Sequence, residues 1–173
     1  MFFTKRRLVL ISVIASVVAV IVFIPLIINY ISSPNVEAIS ISLSDIRVTN
    51  DINETNSIQL AVVFNFTNLG DKTVTTSHIE YDLFANDEFM GHGVLSYEEI
   101  PLNGRPQLYK DISVPLQSSF VVSPTETNKD IIEAITKDPL EIENNFNWRV
   151  NGVGQINSAF VISPKQFSSE LVN

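Results

Sequence analysis

One long apolar run constrains this chain more than any other feature. Residues 8–31, LVLISVIASVVAVIVFIPLIINYI, carry no charge and directly follow Lys5, Arg6 and Arg7. A helix needs about 20 apolar residues to cross a hydrocarbon core about 30 Å thick, so this run is long enough to span a membrane. Because Lys and Arg favour the cytoplasmic flank, the sequence predicts a cytoplasmic segment at 1–7, a transmembrane helix at 8–31 and the remaining chain outside the cell membrane.

A cleaved secretory signal is the alternative interpretation of this run. Signal peptides carry a shorter apolar centre, of about 7–15 residues, ahead of a cleavage site with small residues. Val36-Glu37-Ala38 offers such a site, so secretion after cleavage stays open. The length of the run favours a retained anchor. Pro25 is compatible with it, since proline is tolerated in membrane helices.

The composition restricts the chemistry of the external part. The chain has no cysteine, which excludes thiol catalysis, zinc–thiolate sites and disulfides. Three of the 11 basic residues and none of the 19 acidic ones precede the apolar run, which leaves 8 basic and 19 acidic residues after it. A surface so acidic repels phosphate groups, so the sequence disfavours both nucleic-acid binding and docking on a lipid surface.

Period-two alternation of apolar and polar residues dominates the chain beyond a polar stalk at 32–37. This alternation is typical of strands with one buried face, and a one-residue phase shift between Leu43 and Ile46 predicts a β-bulge. Gly91 and Gly93 predict a second bulge or a close backbone approach, and Pro115 predicts that its strand lies at the edge of a sheet or ends there. The predicted strands are Ile39–Val48, Ile58–Phe66, Ile79–Leu83, Phe89–Tyr97, Leu108–Leu116, Phe146–Val153 and Ile156–Ile162.

One helix interrupts the strands. Ser123 is the expected N-cap, with Glu126 as its capping-box partner, and the helix is expected to end near Pro139. Seven or eight short strands at this spacing predict an all-β fold, an antiparallel β-sandwich of immunoglobulin-like or fibronectin-like form with one short helix. The sandwich is expected to span residues 38–166, followed by a tail at 167–173.

The order of these elements resembles the late embryogenesis abundant group two family, also called the WHy (water stress and hypersensitive response) domain. The similar segments are the opening strand, residues 60–68 ending in Asn68, the hairpin at 79–93 and residues 148–152. The turn Asn68-Leu69-Gly70 departs from the Asn-Pro-Asn that the family often has. The resemblance implies a β-sandwich without catalytic residues and a role in stress tolerance or membrane-associated structural work. It transfers no functional residue.

Two histidines are the first candidates for chemistry. His78 and His92 could join Met90, Glu80 or Asp82 in a metal site, since Met90 and His92 are expected to share a strand face. A structural zinc site usually has four ligands and a blue-copper site needs a cysteine, so two ordinary surface histidines are the favoured interpretation. We therefore predict no metal, no cofactor and no catalytic residue.

Oxygen-bearing side chains give two weaker candidates. Glu98-Glu99 and Asp82 could in principle serve as paired carboxylates of a secreted hydrolase, but such residues are usually solvated. Residues 50–53 and 86–88 offer calcium ligands in loops without the EF-hand spacing, and simple turns are the favoured interpretation.

Two sites fit the N-glycosylation pattern. Asn53 lies in a predicted loop, whereas Asn65 lies inside a strand and would need an exposed face. A fortuitous match is an equally good interpretation of both.

Taken together, the sequence predicts a membrane-anchored, non-catalytic binding, structural or stress-protective module. Its predicted partners are the lipid bilayer, through the helix, and membrane proteins, with no small-molecule substrate identified. An accessory subunit of a larger membrane complex is the alternative, because Ser12, Ala15, Ser16 and Ala19 would permit close helix packing. A hydrolase is a remote third.

Overall fold

The N-terminal helix extends away from the rest of the molecule. The structure, a computed structural model, describes residues 5–52, 57–101, 104–139, 142–158 and 161–171. Helix α1 is Lys5–Ser32 with Pro25 inside it. Its segment Arg7–Ile28 is long and apolar enough to cross a membrane, and none of it is buried against the protein. A membrane anchor and a signal sequence both have these properties.

The remaining chain is mostly β-structure. Eight strands form two antiparallel sheets in the described residues, which confirms the predicted all-β sandwich preceded by an apolar helix. The strands are β1 Ile39–Ile52, β2 Ser57–Asn68, β3 Val74–Ala85, β4 Glu88–Ser96, β5 Gln107–Leu108, β6 Ile112–Val122, β7 Trp148–Ser158 and β8 Val161–Glu170. A 3-10 turn at Val36–Ala38 precedes β1, and the short helices α2 Lys129–Lys137 and α3 Ile142–Asn145 lie between β6 and β7.

The two sheets meet at both edges. The smaller sheet has the order β1-β2-β6, and the larger has β4-β3-β7-β8 with β5 also paired to β3. At one seam the Leu43 amide of β1 donates to Ser169 Oγ of β8 at 2.9 Å. At the other, Ser118 Oγ of β6 donates to the Val94 carbonyl of β4 at 3.2 Å.

Alternating side chains of both sheets fill the space between them. Phe64 of β2 meets Tyr81 of β3 edge-on, with ring centroids 4.8 Å apart. Trp148 is buried at the start of β7, and its indole Nε1 donates to the Ile142 carbonyl at 2.8 Å. Burying such rings supplies the main favourable term in folding, which a domain without disulfides depends on.

Strand register confirms three of the local predictions. The pairing of β1 with β2 shifts between Leu43 and Asp45, at the predicted bulge. The pairing of β3 with β4 shifts next to Gly91, which has a positive φ of 156°. β6, which contains Pro115, pairs with β2 alone.

The structure corrects the predicted start of the helix. Helix α2 has Asn128 as its N-cap, not Ser123. The chain first forms a turn, in which Asn128 Oδ1 accepts from the Thr125 amide at 2.6 Å and Asn128 Nδ2 donates to the Ser123 carbonyl at 3.3 Å. Ser123 therefore precedes a turn, and Glu126 lies outside the helix.

The end of the chain also differs from the predicted boundaries. The residues expected to separate two closing strands, near Gly154, lie inside the continuous β7. The next strand, β8, runs through Glu170 and so includes residues 167–170, which the sequence analysis assigns to a tail. Phe167 belongs in this strand because its ring packs edge-on against Phe64, with centroids 5.8 Å apart.

Candidate functional site

The end of the sandwich at which the chain arrives from α1 is built around one buried amide. Asn68, the last residue of β2, is fully buried. Its Nδ2 donates to the carbonyls of Lys72 and Leu108, both at 2.8 Å, and its Oδ1 accepts from the Gly70 amide at 2.9 Å. One side chain thereby ties the turn at 69–73 to strand β5. We call the segments 33–38, 69–73 and 109–111 the helix-side end.

A cleft of about 270 Å³ opens at the helix-side end. It lies between the chain that leaves α1 and the turn at 69–73; its lining includes Ser33, Pro34, Ala38, Asn68 and Lys72. Pro34 is buried, and Lys72 Nζ donates to the Ser33 carbonyl at 2.6 Å. The predicted stalk is therefore packed on the domain rather than separate from it.

An exposed ion pair joins two turns at this end. Lys110 Nζ lies 2.6 Å from Asp71 Oδ1. The hydrogen bond and the charge of Lys110 hold the pKa of Asp71 below its usual value, and the same contact raises the pKa of Lys110. The pair is exposed to solvent, so the two charges offset each other but contribute little to the free energy of unfolding.

The outer face of the larger sheet carries the two histidines, each beside a carboxylate. His78 Nε2 lies 2.8 Å from Glu80 Oε1 on the same strand. His92 Nδ1 lies 3.0 Å from Asp82 Oδ1 on the paired strand. These are two separate polar pairs on β3 and β4.

The expectation that Met90 shares a face with His92 is wrong. Met90 is buried in the core, whereas the His92 side chain is exposed. The bulge beside Gly91 reverses the alternation, because Leu83 pairs with Gly91 while the next residue of β3 pairs with Phe89. Within the described residues, no three His, Asp or Glu side chains come close enough together to hold a metal ion.

The candidate calcium turn at 86–88 is engaged by protein groups. Asn86 and Asp87 both have positive φ, 50° and 67°, which form the tight hairpin turn. Asn86 Oδ1 accepts from the Asn147 amide at 2.9 Å, and Asp87 Oδ1 lies 2.8 Å from Arg149 Nη2. The Arg149 guanidinium would therefore compete with a metal ion for the Asp87 carboxylate. The other candidate loop includes Asn53, which lies outside the described residues.

Beside this turn lies an aromatic cluster that the sequence analysis did not find. Phe84 and Phe89 pack edge-on with centroids 5.7 Å apart, and the Arg149 guanidinium lies 4.8 Å from the Phe84 ring centre. A cation over an aromatic face is attracted by the ring quadrupole. Only the strand pairing of Phe84 with Arg149 brings them together, so no local signal could have shown it.

The carboxylates of the hydrolase hypothesis lie apart along the sheet. Glu98 and Glu99 follow β4, whose last residue, Ser96, pairs with His78. Asp82 is four residues further along β3, about 13 Å at the rise of a strand. Glycosidase carboxylates lie about 5–9.5 Å apart. The two groups are thus at different levels of the larger sheet.

The glycosylation candidate inside a strand occupies a restricted position. Asn65 is half-buried on the central strand of the smaller sheet, between Ser42 of β1 and Pro115 of β6. The other candidate, Asn53, is outside the described residues. Whether either is modified stays a prediction.

Comparison with known proteins finds solved structures that resemble this chain at low sequence identity. No protein-family model matches the chain, and no curated protein matches it. The chain is similar to the solution structure of a protein from Arabidopsis thaliana, with 12% identity, a TM-score of 0.49, and coverage of 77% of this chain and 80% of that one. It is also similar to a crystal structure from Archaeoglobus fulgidus, with 14% identity, a TM-score of 0.41, and coverage of 75% and 94%. Neither likeness carries an argument about function, so the resemblance to the WHy domain stays a prediction.

Proposed function

We propose that this protein is a single-pass membrane protein whose β-sandwich lies outside the cytoplasm and acts as a non-catalytic binding or structural module of the late embryogenesis abundant group two type. The proposal includes a stress-protective role, which the resemblance implies. Helix α1 would bind the bilayer, and the sandwich would present its outer faces and turns to partners.

The exposure of α1 carries this proposal. The large apolar side chains from Leu8 to Ile28 are between 46% and 66% exposed, and the segment packs on no part of the sandwich. Exposing such a surface to water is very unfavourable, since each fully buried Leu, Ile or Val side chain gains about 1.5–3 kcal/mol. A hydrocarbon environment removes this cost.

Contacts just after α1 support a retained helix over a cleaved signal. Cleavage after Ala38 would remove Val36, which packs against the core, and Glu37, whose Oε2 lies 3.4 Å from Lys165 Nζ. It would also remove the Ala38 carbonyl, which accepts from the Leu69 amide at 2.8 Å. The residues around the candidate site are thus integrated into the domain.

A fractionation experiment tests the anchor and its orientation. In the source cells, the full-length chain should stay in the membrane pellet after an alkaline carbonate wash, and protease added to intact cells should digest the sandwich. A released product that begins near Ile39 would show that the segment is a signal peptide. A sandwich protected in intact cells but digested after lysis would reverse the orientation.

An accessory subunit of a membrane complex is the second candidate. The small residues of α1 would allow a partner helix to approach. However, Ser16 Oγ donates to the Ser12 carbonyl at 2.9 Å, so this hydroxyl is satisfied without a partner helix. Purification in mild detergent separates the two candidates: a fixed set of co-purifying membrane proteins at constant ratio would favour the subunit, and the chain alone would favour the independent module.

A further inference from the structure

The geometry points to a second contact with the membrane: we propose that the helix-side end of the sandwich lies in the headgroup layer of the bilayer. The contact would be made by four exposed apolar side chains, Leu69, Tyr109, Ile112 and Ile162, which we call the turn patch. This inference rests on the proposed function, because it requires α1 to be a membrane anchor.

Three of the four residues of the turn patch are the most exposed large apolar side chains described in the sandwich. Leu69, Tyr109 and Ile162 are 62%, 57% and 63% exposed, and no other large apolar side chain described outside α1 exceeds 51%. Leu69 and Tyr109 lie in turns, and Ile112 begins β6 opposite Asn68. Exposed apolar residues gathered in one place mark an interaction surface, whereas scattered ones do not.

The connections between these turns keep the patch together. The Asp111 amide donates to the Asn68 carbonyl at 2.7 Å, and the Leu69 amide donates to the Ala38 carbonyl at 2.8 Å. Ile162 of β8 pairs with Asn157 of β7, which in turn pairs with Thr75 near the start of β3. Ile162 therefore lies at the same end of the sandwich as the turn at 69–73, on the outer face of the larger sheet.

The short path from α1 places this end at the membrane surface. The apolar segment ends at Ile28, and α1 continues only to Ser32, which is about 6 Å at the helical rise. The next residue, Ser33, is already bonded to Lys72 of the turn at 69–73. Since each headgroup layer is about 5–7 Å thick, Ser33 and the turn that it contacts lie close to the outer boundary of that layer. Tyr30, 85% exposed, lies at the level that aromatic belts occupy.

The local charges permit this contact although the domain as a whole is acidic. Asp71 is paired with Lys110, and Glu37 is paired with Lys165. These pairs offset two carboxylates that lipid phosphates would otherwise repel. A third, the exposed Asp111 between Tyr109 and Ile112, lies close enough to Lys110 to interact with its charge, and Lys72 adds a positive charge in the turn at 69–73. Tyr109 itself combines an apolar ring with a polar hydroxyl, which suits a membrane interface. The sequence-based expectation against lipid-surface docking averages the charge over the whole domain and misses this distribution.

The absence of cysteine makes a direct test simple. Single-cysteine variants of the full chain, Tyr109→Cys, Ile162→Cys, Val121→Cys and Val18→Cys, would be labelled with an environment-sensitive fluorophore. Each would be reconstituted into phosphatidylcholine vesicles that contain lipids with a quencher in the headgroup region or in the acyl chain. Val121 is the matched control, since it is 51% exposed and lies nine residues along β6 from Ile112, about 30 Å away.

We expect the headgroup quencher to act at Tyr109→Cys and Ile162→Cys at least about threefold more strongly than at Val121→Cys, given a layer of about 5–7 Å. Adding Leu69→Glu to Ile162→Cys should reduce that quenching, because a carboxylate disfavours insertion. Equal, weak quenching at all three sandwich positions overturns the turn patch. If the acyl-chain quencher also fails at Val18→Cys, the anchor itself is wrong and the proposed function fails with it.

The same experiment distinguishes the bilayer from two other possible partners of the turn patch, a membrane protein and a second copy of the chain. Quenching by lipid in pure vesicles supports the bilayer as the partner. Shielding of Tyr109→Cys that appears only in native membranes, and not in pure vesicles, overturns it in favour of a membrane protein. Shielding that rises with the ratio of protein to lipid, without headgroup quenching, overturns it in favour of a second copy of the chain.

Discussion

Replacing Asn68 tests whether one buried amide holds the helix-side end together. Asn68→Ala would remove both donors and the acceptor of the side chain. The carbonyls of Lys72 and Leu108 and the amide of Gly70 would each lose the hydrogen bond to Asn68. The small side chain would also leave a gap at a fully buried position.

The expected loss of stability follows from those three hydrogen bonds. Each contributes about 0.5–1.5 kcal/mol net, and a buried group left without a partner costs about 1–3 kcal/mol. The bond to the Leu108 carbonyl is buried, whereas water can reach the groups of Lys72 and Gly70. We therefore expect the free energy of unfolding to fall by about 3 kcal/mol. With a urea dependence of about 2 kcal/mol per molar, the midpoint should fall by about 1.5 M.

The single tryptophan provides the assay. Trp148 is buried, so its emission reports urea unfolding of the full-length chain in detergent micelles. Asn65→Ala, on the same strand but half-buried, is the control and should change the free energy by less than about 1 kcal/mol. Asn68→Asp keeps an acceptor for the Gly70 amide but loses both donors, so it should lower the free energy of unfolding by at least as much as Asn68→Ala. A loss below about 0.5 kcal/mol for Asn68→Ala would refute the reasoning, because it lies within the range of ordinary surface substitutions.

Three further predictions concern packing and pH. Gly93→Ala should lower the free energy of unfolding in urea by about 3 kcal/mol, because the added Cβ would overlap the Tyr81 ring. Gly104→Ala, on the surface, should lower it far less, and equal losses for the two variants would contradict the prediction. Burial raises the pKa of Tyr81 to about 12, so the stability that its neutral form provides should be complete below pH 10 and lost as the pH rises through 12. The variant Tyr81→Phe should weaken the alkaline pH dependence of unfolding and leave the part that comes from Tyr97, whose pKa burial also raises. The pKa of Asp71 is lowered by Lys110, so the stability that this carboxylate provides is present above the usual pKa of an aspartate and is lost as the pH falls through the lowered value. In an NMR titration, Lys110→Met should return the pKa of Asp71 towards the usual value. An unchanged titration would show that Lys110 is not the cause.

Local patterns predicted those parts of the fold that depend on neighbouring residues. The alternation of large apolar residues in β2 predicted a strand, although the structure also buries Ala61 and Val63 on its other face. The break after Leu43 predicted the bulge in β1. The polar residues at 86–88 predicted the hairpin, since Asn and Asp tolerate the positive φ that its turn requires. The apolar run predicted α1 through its length alone.

Features that depend on strand pairing could not be predicted in this way. The buried position of Met90 results from a bulge whose location is set by pairing with β3. Ser123 satisfies the pattern of an N-cap, but the local turn uses Asn128 instead. The helix-side end requires Asn68, Leu108 and Ser33, which are distant in sequence and meet only when the sheets have formed.

The two seams of the sandwich have a consequence if α1 anchors the chain in a membrane, as proposed. Molecules tethered in a plane collide often and at high local density, and an open strand border invites pairing with a neighbour. Here the Leu43 amide donates to Ser169 Oγ, and the Val94 carbonyl accepts from Ser118 Oγ, so one backbone group at each seam has a partner within the molecule. These two groups are thereby engaged inside the sandwich rather than available to a neighbouring copy.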